Sequence, residues 1–112
     1  MAHFTLGYVY QMGYQQNDEA IDAYLKAIKY QPSLPNSYLN LAGLYLERQR
    51  FEEAIRMYSK SIQLSPQSVA AYLGRGKAYL STGKRQQACT DFKRAADSGM
   101  QEARLRLRQY CQ

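Results

Sequence analysis

The chain reads as an all-α protein: three antiparallel helix–turn–helix hairpins in series, closed by one further helix. Three observations carry that expectation. Apolar residues recur at i, i+3, i+4 and i+7, the spacing of one helix face, in segment after segment. Small and aromatic residues recur at a step of 34 positions, so that Ala20, Ala54 and Ala88 match, as do Tyr24, Tyr58 and Phe92. The chain also has no alternating β-branched run of the kind a half-buried strand needs, and only three of its 112 residues are proline.

The unit is clearest between Tyr38 and Pro66. Its first half places Tyr38, Leu41, Ala42 and Tyr45 on one helix face, and its second half does the same with Ala54, Ile55, Tyr58, Ser61 and Ile62. A polar break at Gln49 and Arg50 separates the halves, and Pro66 ends the unit. Such a hairpin alone cannot bury both apolar faces, so it needs neighbours on either side.

Helices are expected over 2–13, 18–31, 36–48, 52–64, 69–82, 86–98 and 101–111. Asn17 followed by Asp18 and Glu19 combines an N-cap with acids in the first turn, where they complement the helix dipole. Pro35 suits the first position of the third helix, and Ser68 suits the N-cap of the fifth. Gly83 and Gly99 stand where helices stop, as left-handed C-cap residues. The last segment is no fourth repeat. Ala103, Leu105, Leu107 and Tyr110 give it an apolar side and Arg104, Arg106 and Arg108 a wet one, as a terminal cap requires. Repeats then span about 1–34, 35–68 and 69–100, with the capping helix at 101–112.

The eight matched positions of the central unit, Tyr38, Leu41, Ala42, Tyr45, Ala54, Tyr58, Ser61 and Pro66, resemble the signature of the tetratricopeptide repeat family. The third unit repeats it with Tyr72, Gly76, Tyr79, Ala88, Phe92 and Ala95, but carries Arg75 where leucine is usual and Met100 where proline is usual. The first carries Leu6, Gly7, Tyr10, Ala20, Tyr24, Ala27 and Pro32 with one extra residue before Ala20. Phe4 nevertheless stands 34 before Tyr38, so the register of that first helix is ambiguous by one.

The resemblance implies a right-handed superhelical α-solenoid whose first helices line a concave groove that takes a peptide or partner helix. By repeat position, that groove is expected to be lined by Phe4, Tyr8 and Gln11; by Asn36, Leu39, Asn40, Gly43, Leu46 and Glu47; and by Ala70, Leu73, Gly74, Lys77 and Leu80. Gly43 and Gly74 are expected to leave room for a ligand side chain. A subset of the family grips the terminal carboxylate of chaperone tails with a basic clamp. Asn40 matches that pattern, but Ala70 and Gly74 stand where its lysine and arginine belong, so no such clamp is expected here.

Composition narrows the function classes. At 46% hydrophobic and 21% charged residues, the chain is that of a folded protein. Residues 1–68 hold six Lys/Arg and six Asp/Glu, whereas 69–112 hold nine against three, so the whole excess of +6 sits in the C-terminal third. That third favours an acidic protein partner over nucleic acid, because no aromatic interleaving or nucleic-acid motif accompanies the basic residues.

No catalytic residue, cofactor or metal site is expected. The single histidine is His3, and the cysteines lack partners at zinc spacing. Gly74-Arg75-Gly76 lies inside a helix pattern rather than after a strand, and Glu52-Glu53 are first-turn dipole partners. No signal peptide or membrane-spanning run is visible, which leaves the cytoplasm as the default compartment. The N-terminus opens inside a helix, as expected of a domain cut from a longer protein.

Two cysteines are too few for a disulfide scaffold, and reduced thiols are the ordinary expectation. If the last two helices fold back antiparallel, however, Cys89 and Cys111 come level, and a bond then depends on their Cα separation. The function expected is a non-enzymatic interaction scaffold. The alternative, from another class, is a self-assembly module that stacks through an open repeat face at the N-terminus.

Overall fold

The computed structural model describes residues 17–111. They form six helices: α1 (Asn17–Tyr30), α2 (Pro35–Glu47), α3 (Phe51–Leu64), α4 (Val69–Ser81), α5 (Arg85–Asp97) and α6 (Gln101–Tyr110). No strand occurs among the described residues. Each helix begins and ends within one residue of its expected bounds. The helix expected at 2–13 lies outside the described residues, together with Phe4, Tyr8 and Gln11 and with the open N-terminal face of the self-assembly alternative.

The helix ends form for local reasons. Pro35 occupies the start of α2, and Leu34 before it is extended, as a residue preceding proline must be. The Ser68 hydroxyl accepts the Ala71 N–H at 3.3 Å and caps α4. The α2–α3, α4–α5 and α5–α6 turns share one closing pattern: Arg50, Lys84 and Met100 donate back to Tyr45, Tyr79 and Ala95 at 2.8, 2.8 and 3.3 Å. The residue before each donor is left-handed, with φ of 60° at Gln49, 79° at Gly83 and 95° at Gly99. Gln49 thus adopts, 34 positions before Gly83, a conformation that costs an L-residue about 1–2 kcal/mol.

Adjacent helices pack in sequence from α1 to α6, and α2 also touches α4 directly. One core joins Ala20, Ile21 and Tyr24 of α1 to Leu41, Ala42, Leu44 and Tyr45 of α2, Ala54 and Tyr58 of α3, and Ala71 and Ala78 of α4. A second joins Leu73 of α4 to Ala88, Phe92, Ala95 and Ala96 of α5 and Ala103 of α6. The alanines let helices approach, and the rings fill what remains; burying a ring such as Tyr24 or Phe92 fully contributes about 1.5–3 kcal/mol. Gly76 is one such approach, since a Cβ there would lie 2.6 Å from the Phe92 ring. The repeat is also written in polar contacts. The Tyr38 hydroxyl donates to the Pro32 carbonyl at 2.8 Å, and Tyr72, 34 positions on, donates to the Pro66 carbonyl at 3.2 Å.

Arg75, the residue in the leucine position, has its own partners. It donates to Asp91 on α5 and to Ser59 on α3, and it lies 5.7 Å from the ring centroids of both Tyr72 and Tyr79.

The capping helix corrects two expectations. Ala103 is buried, and Leu107 and Cys111 pack beside it, which is an i, i+4, i+8 stripe. Leu105 lies about 200° round from Ala103 and is 50% exposed, so it does not belong to the apolar side. The cysteines are not reduced thiols: Cys89 and Cys111 form a disulfide with their Cα atoms 5.7 Å apart. The chain reverses at Gly99, so the first turns of α5 stand level with the end of α6.

Candidate functional site

The side chains expected to line the groove come from α2 and α4. Asn36, Glu47 and Ala70 are exposed, and Leu39, Asn40, Gly43, Leu46, Lys77 and Leu80 are half-buried. Leu73 and Gly74 are not surface residues. Leu73 belongs to the second core, and Gly74 is covered by the Tyr58 ring, which would clash with any Cβ placed there. The expectation that Gly74 leaves room for a ligand is therefore corrected: the room exists, and α3 fills it. At Gly43 the nearest atom to an added Cβ is the Tyr58 hydroxyl at 3.9 Å, an ordinary contact. Burial pushes the Tyr58 hydroxyl up to about 12, and the nearby Glu47 charge adds to that effect.

One cleft of about 410 Å³ gathers four of the expected residues: Leu46 and Glu47 from the end of α2, and Lys77 and Leu80 from the end of α4. Gln49 of the α2–α3 turn, Phe51 at the start of α3 and Ser81 at the end of α4 complete its sides, and Arg106 and Tyr110 of α6 form its far wall. Asn36, Leu39, Asn40 and Ala70, near the start of α2 and α4, are not part of it. The cleft thus pairs an apolar set (Leu46, Phe51, Leu80 and the Tyr110 ring) with charges of both signs.

The two cations share one surface carboxylate. Glu102 on α6 accepts from Lys77 at 2.9 Å and from Arg106 at 3.2 Å. Its carboxyl is held below the usual range, chiefly by the Lys77 hydrogen bond and further by Arg106, against its own partial desolvation. Glu47, exposed, lines the same cleft from the end of α2.

The wall from α6 was missed because Arg106 was expected on the wet side. A signal was nonetheless present: Glu102, Arg106 and Tyr110 are spaced i, i+4 and i+8, a second stripe beside the packing one. Among the described residues no group of His, Cys, Asp or Glu could hold a metal ion, and no helix is long and apolar enough to cross a membrane.

A stack of helical hairpins with small residues at its crossings and a half-apolar cleft on one side defines a helical-repeat scaffold, an all-α solenoid. The chain belongs to the tetratricopeptide repeat family: the TPR repeat model matches residues 15–47 and 43–83, and the tetratricopeptide repeat model matches 69–98. Solved structures agree. The Arabidopsis OM64 TPR domain is 26% identical, with a TM-score of 0.92 over 97% of this chain and 91% of that one. The first TPR of Spaghetti (RPAP3), bound to the HSP90 peptide SRMEEVD, is 27% identical, with a TM-score of 0.92 over 97% and 87% of the two chains. The MamA protein is 29% identical with a TM-score of 0.80, over 99% of this chain and 57% of that one. No curated protein sequence matches the chain.

Proposed function

We propose that the chain is a non-enzymatic protein–protein interaction module that takes a peptide or helix of a partner in the cleft between α2, α4 and α6. The observation that carries this reading is the cleft itself. It sets Leu46, Phe51, Leu80 and Tyr110 around about 410 Å³, enough for one or two apolar side chains, with Glu47, Lys77 and Arg106 as its charged lining. The similar solved structure bound to SRMEEVD supports a peptide as the ligand class. An acidic partner is favoured because the +6 excess lies wholly in residues 69–112, where it steers approach, and because a ligand carboxylate can share Lys77 and Arg106 with Glu102. Asn36, Leu39, Asn40 and Ala70 extend the same side towards the start of the two helices, where a longer ligand would continue.

Panning a random peptide library on the protein tests the proposal. Enriched peptides are expected to shift the amide resonances of Leu46, Leu80 and Tyr110, and to lose binding in the Leu46→Glu/Leu80→Glu variant. Leu73 is unsuited to that test, because a glutamate there would enter the second core. Peptides that bind the variant equally well, or that shift only the opposite face, would refute the cleft as the site.

A further inference from the structure

We propose that the Cys89–Cys111 disulfide is a redox latch on the capping helix, closing the far wall of the cleft when oxidised and releasing it when reduced. Its bearing on ligands rests on the cleft reading above; the latch itself does not.

Apart from the bond, few buried side chains hold the capping helix. It has ten residues, below the roughly 12–15 at which an isolated helix becomes stable in water. Ala103 is its one fully buried side chain, helped by the partly buried Met100 and Leu107. Leu105 is half exposed, and the Lys77–Glu102 pair is exposed enough to be screened by salt.

The position of these anchors matters. Met100 and Ala103 hold the start of α6, beside the left-handed Gly99 that forms the turn from α5. Arg106 and Tyr110, which wall the cleft, stand in its second half, and Cys111 follows Tyr110 directly. The disulfide therefore pins the half that closes the cleft, where Leu107 is the partly buried packing residue beside it, while Met100 and the fully buried Ala103 pin the half that does not.

Both cysteines are half-buried rather than enclosed, and the reductant class that fits such a bond is a small dithiol. The thiolate of a dithiol attacks one sulfur of the bond. The other sulfur leaves as a thiolate and takes up a proton. The second thiol of the reductant then displaces the first protein sulfur, which is likewise protonated. Two protein thiols and one oxidised reductant result, with two electrons and two protons transferred. The second half of α6 then frays away from α5 while Met100 and Ala103 hold its start, and Leu80 and Lys77 lose Tyr110 and Arg106 as neighbours in the cleft.

The test is amide hydrogen exchange on the full chain, oxidised and after reduction by dithiothreitol, with the Cys89→Ser/Cys111→Ser variant beside it. Exchange across Gln101–Tyr110 is expected to rise at least tenfold on reduction while α2, α3 and α4 stay unchanged, with the methyl resonances of Leu46 and Leu80 shifting. The variant should match the reduced protein. Unchanged protection of α6 on reduction overturns the latch, and so does a uniform loss across all helices, which would make the bond a general staple. These readouts need no ligand. Failure of the cleft to bind peptide leaves them intact, while failure of the latch leaves any peptide binding equal in both redox states.

Discussion

Arg75 and Asp91 form the most enclosed ion pair among the described residues, with two parallel bonds of 2.8 and 2.9 Å from the guanidinium to the carboxylate. The Asp91 side chain is 5% exposed and that of Arg75 20%. Arg75 is an apparent defect in the repeat pattern, yet it ties α4 to α5 and, through Ser59 at 3.1 Å, to α3. The departure from leucine came with a matching acid on the next helix.

Restoring the leucine should therefore harm the protein. Arg75→Leu leaves Asp91 buried without a partner and is expected to cost about 3–5 kcal/mol in urea denaturation. Adding Asp91→Ala, the residue found at the corresponding position 23, should recover most of that loss. A single variant as stable as the parent would show that Asp91 is not held by Arg75.

The two glycines facing Tyr58 should respond oppositely to alanine. Gly74→Ala forces the Tyr58 ring out of a packed core and is expected to cost about 1–3 kcal/mol. Gly43→Ala meets only an ordinary contact and should stabilise α2 by about 0.5–1 kcal/mol. Thermal melts of both variants check the pair.

Alkali should unfold the domain through Tyr58. Its hydroxyl is raised by burial, so the folded state favours the neutral form. The stability this confers is complete below the ordinary tyrosine value of about 10 and is lost as pH rises from there towards about 12. Tyr58→Phe should flatten the alkaline limb of the stability curve between those values, measured by circular dichroism. A limb of unchanged slope would place the alkaline sensitivity elsewhere.

Terminal carboxylates should not be a recognition element. Ala70 offers no charge, and Gly74 lies under Tyr58, so the two positions of a repeat-three clamp are uncharged. In a fluorescence titration, SRMEEVD and its C-terminal amide are expected to bind within about twofold of each other, since a lost charge-assisted hydrogen bond would cost about 1.5–3 kcal/mol. A tenfold preference for the free acid would reveal a clamp built from other residues.

The helices of this protein were legible in the sequence because they are local. Their faces follow a 3.6-residue period, and their ends carry a proline, a serine cap and two glycines, each acting on its own few residues. The 34-residue step then named the family, since the same crossings need the same small and aromatic residues wherever they recur. Four of the nine cleft residues were legible for that reason: Leu46, Glu47, Lys77 and Leu80 stand where repeat position puts them. What only the tertiary structure decided is which neighbour fills each space. Tyr58 occupies the gap at Gly74, Leu73 turns into the second core, and Asp91 meets Arg75. The capping helix folds back so that Arg106 and Tyr110 wall the cleft and Cys111 reaches Cys89. Those outcomes depend on contacts between residues of different helices, and helical periodicity, which sets a face, does not say what that face will touch.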